Sequence, residues 1–260
     1  PGAGSDLASL RCRAENKGDH YLINGQKIWS SFSMYARYCI LLARTDFDVP
    51  KHAGISYFLL HMDTPGVEVR PIRQNNGDAE FAELFLTDVK IPAENLVGKE
   101  NEGWKVAQAT LASERGVLSF EFAERQRYLV EDFYKKSVEQ GAAWLDDDQL
   151  RREFMSLLAE VQADRRLIRK LLRENEHHDA PPSMLPAFVK ITDTTLRQKI
   201  ASLLVKAVGF DSQRYVHSVE RAPDNWMLEY VSSFGNTIAG GTNEIMRNLI
   251  AERGLGMPKG

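Results

Sequence analysis

The sequence has little cysteine: Cys12 and Cys39 are its only two, both near the N-terminus and without metal-ligand spacing. Small secreted domains stapled by disulfides use cysteine far more densely, so a reduced, cytoplasmic chain is expected. No apolar run approaches membrane-spanning length, and no charged-then-apolar leader opens the chain, so no membrane association is expected. An excess of one charge is missing as well. The 33 basic and 36 acidic residues leave a net charge of −3 and are mixed along the chain. That balance excludes a basic face for nucleic acid and a like-charged tail. His177-His178 follow Glu176, but adjacent histidines on a helix point to different sides and no third ligand is evident, so no metal site is expected. An initiator methionine is also lacking. Pro1-Gly2-Ala3-Gly4-Ser5-Asp6 reads as the middle of a loop, as a piece of a longer chain would.

What is present changes period near Gly98. Before it the signals are those of strands. Tyr21-Leu22-Ile23, Asn24-Gly25 and Gln26-Lys27-Ile28-Trp29 read as a hairpin with a two-residue turn. Arg37 to Ala43 and Ile55 to His61 are apolar runs of strand length, and Asp63-Thr64-Pro65-Gly66 closes the second. Val67 to Arg70 and Ala82 to Leu86 alternate with a period of two. After Gly98, apolar residues recur at helical spacing from Trp104 to Gln140. A second helix follows Asp146-Asp147-Asp148, whose carboxylates suit a helix N-terminus, and a third opens at Pro181, Pro182 and Pro186 and runs to Val208. The expected fold is α+β: an antiparallel β-barrel or sandwich over 1–97, then an antiparallel four-helix bundle over 98–260.

The fourth helix is expected in the stretch from Ile238 to Pro258. There Gly240-Gly241 leads into Thr242 and Asn243, and Ile245, Met246, Leu249 and Ile250 recur at helical spacing until Gly254 and Gly256. Glycines, a capping residue and an amphipathic helix can hold an anion or a cofactor, and they serve equally as an ordinary helix start. The letters alone leave both open.

Four segments, in order, narrow the choice: Pro1 to Asp6, Asn24 to Ser31, Ser113-Glu114-Arg115-Gly116, and Gly240 to Asn248. Together they resemble the acyl-CoA dehydrogenase flavoprotein family, over its middle β-domain and C-terminal helical domain. The family carries an N-terminal helical domain ahead of the first segment, in keeping with the expectation of a longer chain. The resemblance implies FAD as cofactor, an acyl-CoA substrate and an electron-transfer flavoprotein as acceptor. Gly4 and Ser5 would approach the cofactor, with Ser5 also meeting substrate. Glycine there lets backbone come close to a planar or charged group. Trp29 and Ser31 would cover and bond the flavin ring, since strict strand alternation turns both the same way. Thr242 and Glu244 match positions on the adenosine or diphosphate side.

Dehydrogenation needs a carboxylate for the α-proton and the flavin for the β-hydride. Some members carry the base just before the Gly-Thr of the last loop, where this sequence has Gly240. A second subgroup carries it on the first long helix beside an arginine, which matches Glu114 as base and Arg115 as a substrate contact. Two segments through which symmetric dimers reach a neighbour's FAD, Arg-x-x-Phe-Gly and Gln-x-x-Gly-Gly, have no match at Phe133-Tyr134-Lys135-Lys136-Ser137 or Val208-Gly209-Phe210-Asp211. The region from Trp226 to Asn248 resembles a bacterial subgroup acting on bulky substrates such as steroid side chains, which pairs two unlike subunits with one flavin between them. The resemblance implies an oligomer, homomeric or of the α2β2 type with an unlike subunit. An acyl-CoA oxidase or flavin monooxygenase of the same fold, and a non-catalytic assembly subunit, are the alternatives.

Overall fold

The computed structural model describes residues 1–175, 183–213 and 225–258, without the side chains of 112–118 and 174–175. His177 and His178 lie outside the described residues. The chain divides into two compact units, Pro1–Ala112 and Ser113–Gly260.

The first unit is one six-stranded sheet in the order β4-β3-β1-β2-β6-β5. Its strands are β1 (Arg13–Asn16), β2 (His20–Ser31), β3 (Tyr38–Arg44), β4 (Ile55–His61), β5 (Val67–Ile72) and β6 (Phe81–Pro92). All neighbours pair antiparallel except β1 and β3, which meet in parallel at Arg13 and Arg44. The sheet is therefore mixed, its one parallel contact being short. Its core gathers Tyr21, Ile23, Leu41, Phe58, Leu60, Leu86 and Ile91, with the Tyr21 and Phe58 rings edge to face at 4.8 Å.

One sequence reading is corrected here. Asn24-Gly25 is not a hairpin turn: β2 runs straight through it, and the residues on both sides pair with β6. The two residues form an irregularity in the register instead. Asn24 bonds the opposing Asp88 twice, its Nδ2 donating to Oδ1 at 3.0 Å and its Oδ1 accepting from the Asp88 N–H at 2.9 Å. A Cβ on Gly25 would lie 2.8 Å from the Cα of Cys12, the residue before β1. Glycine serves there for close packing of strands, because the missing side chain is the space that the chain entering β1 occupies.

The second unit is helical: α1 (Gly103–Gln140) enters it from the first unit, and α2 (Asp148–Asn175), α3 (Leu185–Val208), α4 (Trp226–Asn236) and α5 (Asn243–Leu249) follow, with a π-helical turn at Ile250–Gly254. The helix expected in the stretch from Ile238 to Pro258 is α5, and α4 before it is an additional helix that the sequence reading lacked. Asn225 caps α4, accepting from the Leu228 N–H at 3.1 Å. The core is aromatic. Phe133 stacks on Trp144 at 5.6 Å and meets Trp226 edge-on at 5.2 Å, while Trp144 donates to Ser137 at 2.9 Å. Leu157, Val161, Leu196, Ile200 and Leu204 complete it. Within the segment from Phe133 to Ser137, Phe133 and Ser137 face this interior, while Tyr134 and Lys135 are exposed.

Candidate functional site

In the first unit a groove of about 840 Å³ is lined by Gly2 and Gly4 of the N-terminal loop and by Gln26, Lys27, Ile28 and Trp29 of β2, among others. Neither Ser5 nor Ser31 lines it, and both are exposed. A Cβ added to Gly2 or Gly4 would meet nothing within 4 Å, and neither residue has a left-handed backbone. The fold itself makes no demand for glycine at these positions.

The loop is held from behind. Its Asp6 takes Lys51 Nζ on both carboxylate oxygens at 2.8 Å, which together with a hydrogen bond from Ser9 holds its pKa below the usual value. The 3₁₀ turn that follows, Leu7–Ser9, is gripped by Arg44, a buried charge at the end of β3. Arg44 donates from Nε to the Leu10 carbonyl at 2.9 Å, from Nη1 to that of Lys51 at 3.1 Å and from Nη2 to that of Ala8. Its place at the tip of an apolar run was the signal for it. Arg44→Met leaves those buried carbonyls without donors, so a loss of about 2 kcal/mol is expected in denaturant unfolding, with faster proteolysis in the Gly2–Leu10 segment.

Trp29 forms the far wall. It is 59% exposed, although large aromatics are usually covered, and its φ of 61° is left-handed. Its ring touches Phe81 edge-on at 6.0 Å. The β2–β6 register shifts between Lys27 and Ser30, so strict alternation, from which Trp29 and Ser31 were expected to share a face, is interrupted at this point. Beside it Lys27 reaches inward and donates to the Leu42 carbonyl at 2.6 Å, and burial lowers its pKa. A bulky residue kept exposed on strained backbone, against open glycines, makes a surface shaped for a flat partner.

In the second unit the Gly240-Gly241 loop has left-handed φ values of 65° and 92°. Thr242 caps α5, its Oγ1 accepting from the Ile245 N–H at 3.2 Å while its hydroxyl donates to the Glu244 carboxylate. Glu244 is exposed and pairs with Arg247 at 3.2 Å. Its pKa is lowered, first by a backbone hydrogen bond. A negative side chain in the first turn of a helix suits the helix dipole and opposes a phosphate. Asn243, buried, is what anchors the loop. Its Oδ1 accepts from Lys190 Nζ at 2.8 Å and from Thr194 at 3.1 Å, and Lys190 also donates to the Thr237 carbonyl at 3.1 Å, so one lysine of α3 ties both ends. The lone cation in an otherwise apolar stretch of α3 marks it in the sequence. Glu114 and Arg115 lie on α1, and their side chains are outside the described residues.

Among the described residues no helix is long and apolar enough to cross a membrane. Residues 1–89 match the middle domain of acyl-CoA dehydrogenases, and residues 101–255 match their C-terminal domain. The acyl-CoA dehydrogenases IpdE1 and FadE34 of Mycobacterium tuberculosis are 35% and 36% identical, over the whole of this chain but only 65% and 34% of their own lengths. The chain thus spans less than two thirds of the curated relatives it matches. Among solved structures, the Tcur3481-Tcur3483 steroid ACAD superposes over the whole chain and 67% of its own, with a TM-score of 0.90 and 30% identity. The ChsE4-ChsE5 complex of M. tuberculosis does so over 68% of its chain, at 0.84 and 26%. The two domain matches, in the order that the sheet and the helices follow, establish that the chain belongs to the acyl-CoA dehydrogenase family.

Proposed function

We propose that this chain is the flavin-binding, base-bearing part of an enzyme that dehydrogenates the α,β-bond of an acyl-CoA thioester. The observation that carries the reading is the groove of the first unit, where Trp29 stands exposed on left-handed backbone and the loop opposite presents glycines for which the fold has no need of its own. An isoalloxazine ring fits that combination, an aromatic face and a backbone that can come close. When bound, FAD supplies the hydride acceptor at N5.

The remaining work falls to side chains. Glu114 takes the α-proton as the thioester is oxidised, and Arg115 orients the substrate beside it. Gly4 lines the groove and Trp29 would cover the ring, while Ser5 and Ser31, exposed outside the groove, would reach the substrate and the ring's edge from its margin. Thr242 meets the adenosine or diphosphate portion at the start of α5. Glu244, being anionic, meets a ribose hydroxyl rather than phosphate. The likeness to the Tcur3481-Tcur3483 steroid enzyme and to the ChsE4-ChsE5 complex supports a bulky acyl group and an unlike partner subunit. An electron-transfer flavoprotein is the acceptor.

The chain purified alone is expected to hold little flavin, and a complex with the unlike subunit to show the flavin bands near full occupancy. A fully flavinated homodimer would remove the unlike subunit from the reading. No flavin in any assembly would remove the reading itself. In stopped flow, rapid reoxidation of the reduced complex by air would identify an oxidase instead.

A further inference from the structure

A second groove, of about 510 Å³, lies in the helical unit between α2 and α3 and is lined as well by Arg247 of α5. Its walls are mainly apolar, from Leu167, Ile191 and Leu196, and its floor holds Asp164. That carboxylate is 5% exposed, and its Oδ2 has no hydrogen-bond partner among the described residues. Its Oδ1 is only weakly served. Thr192 Oγ1 sits 3.0 Å away, but the same hydroxyl is also 3.0 Å from the carbonyls of Phe188 and Val189, and it has one proton to give. The cations at the ends of the groove are engaged elsewhere, Lys199 with Glu160 at 2.7 Å and Arg247 with Glu244 at 3.2 Å. The nearest further carboxyl, Asp193, is of the same sign and adds to the strain on the pair.

A buried carboxylate with an unpaired oxygen is among the costlier arrangements in a protein, and folded chains avoid it unless something arrives to satisfy it. Burial pushes the Asp164 carboxyl up to about 6, the direction that an unmet charge produces. The shape of the groove says what fits. An apolar wall suits a methylene stem, and a carboxylate at its end suits a head that donates several hydrogen bonds. A guanidinium has both, and sheds water more readily than an ammonium does. We propose that the α2–α3 groove is a docking socket for an arginine side chain presented by a second polypeptide chain, with its stem along Leu167 and Leu196 and its head on Asp164. The groove is several times larger than one guanidinium, which leaves room for residues flanking that arginine. The proposal is independent of the flavin reading.

The test uses the whole chain and three probes: the peptide acetyl-Ala-Ala-Arg-Ala-Ala-amide, its citrulline counterpart and acetyl-arginine methylamide. Citrulline keeps the shape and loses the charge. Saturation-transfer NMR and calorimetry are expected to show saturable binding of the arginine peptide, at least tenfold weaker binding of the citrulline peptide, and a similar tenfold loss with Asp164→Asn. Asp164→Asn and Asp164→Leu are expected to keep or raise the Tm of the chain alone near pH 8, since each removes an unmet charge. Absence of saturable binding, equal binding of the citrulline peptide, or unchanged binding by Asp164→Asn overturns the proposal. So does acetyl-arginine methylamide binding as tightly as the pentapeptide, which would indicate a site for free cations. A clear fall in Tm with both variants would make Asp164 a structural strut and also overturn it.

Discussion

Replacing Glu114 by Gln is expected to lower the rate of flavin reduction by acyl-CoA roughly 10³- to 10⁴-fold in the assembled enzyme, while the flavin spectrum and substrate affinity stay close to wild type. Glutamine keeps the volume and a hydrogen-bonding head but has no basic oxygen to take the α-proton. The choice of Glu114 rests on chemistry that Gly240 cannot perform. Gly240 has no side chain to take a proton, and the resemblance to the family implies Glu114, on α1, as the base instead. Asp at 114 shortens the reach by one methylene and should leave an intermediate rate, because the base is still present but displaced. Two results would sink the assignment. A turnover within a few fold of wild type in Glu114→Gln would leave the chain without its proposed base and favour an assembly role. A loss of bound flavin in parallel with activity would show that the residue supports the fold or the cofactor rather than proton transfer.

Much of the fold was legible because period and punctuation agreed. Ile55 to His61 alternates too little to be half-exposed, and β4 is buried at Ile55, Ser56, Tyr57, Phe58 and Leu60, as a strand covered on both faces should be. The start of α2 was marked by its run of aspartates, and Asp147 does accept the N–H groups of Gln149 and Leu150. Asn24-Gly25 misled for a physical reason. The dipeptide favours unusual backbone, but whether that backbone turns the chain or merely offsets a register depends on what pairs with it, and β6 lies outside any local window. α4 was missed because its eleven residues follow a segment with no periodic lead-in, and its cap, Asn225, gives little warning on its own.

The candidate site was legible in a different sense. Motifs gave the places of Gly4, Trp29 and Thr242, but not the residues that hold them. Arg44 and Lys190 are each a single cation whose partners are backbone carbonyls or an amide scattered along the chain. Nothing in sequence spacing joins Arg44 to Ala8, or Lys190 to Asn243. Such contacts follow from the three-dimensional closure of the fold. The left-handed backbone of Trp29 is also invisible in one dimension, because tryptophan is among the residues least expected to adopt it.

The second large effect concerns pH. Asp193 on α3 is buried, and its carboxyl is pushed up to about 7, first by burial and then by the charge of Asp164; Arg197, a hydrogen bond from Gln126 at 2.6 Å and Lys190 act the other way. In the unfolded chain the same group has an ordinary pKa near 4. Below about pH 4 both states hold the proton and the group adds no penalty. Between about pH 4 and 7 the folded state keeps a proton that the unfolded state has released, so stability falls as pH rises, and above about pH 7 the penalty is constant. At about 1.4 kcal/mol per pKa unit, the full penalty is on the order of 3–4 kcal/mol. Asp193→Asn removes it, because the amide oxygen still accepts from Gln126 and no charge is buried. Other carboxylates, such as Asp6 and Glu124, have lowered values and lose stability in acid, so the wild-type curve alone mixes both trends. The difference between variant and wild type isolates the group. In urea unfolding it should be close to zero near pH 4, widen through pH 6 and level off near pH 8 with the variant the more stable by about 3 kcal/mol. A difference that does not change with pH would mean that Asp193 is ionised throughout, held by Arg197 and Lys190 more strongly than burial opposes it.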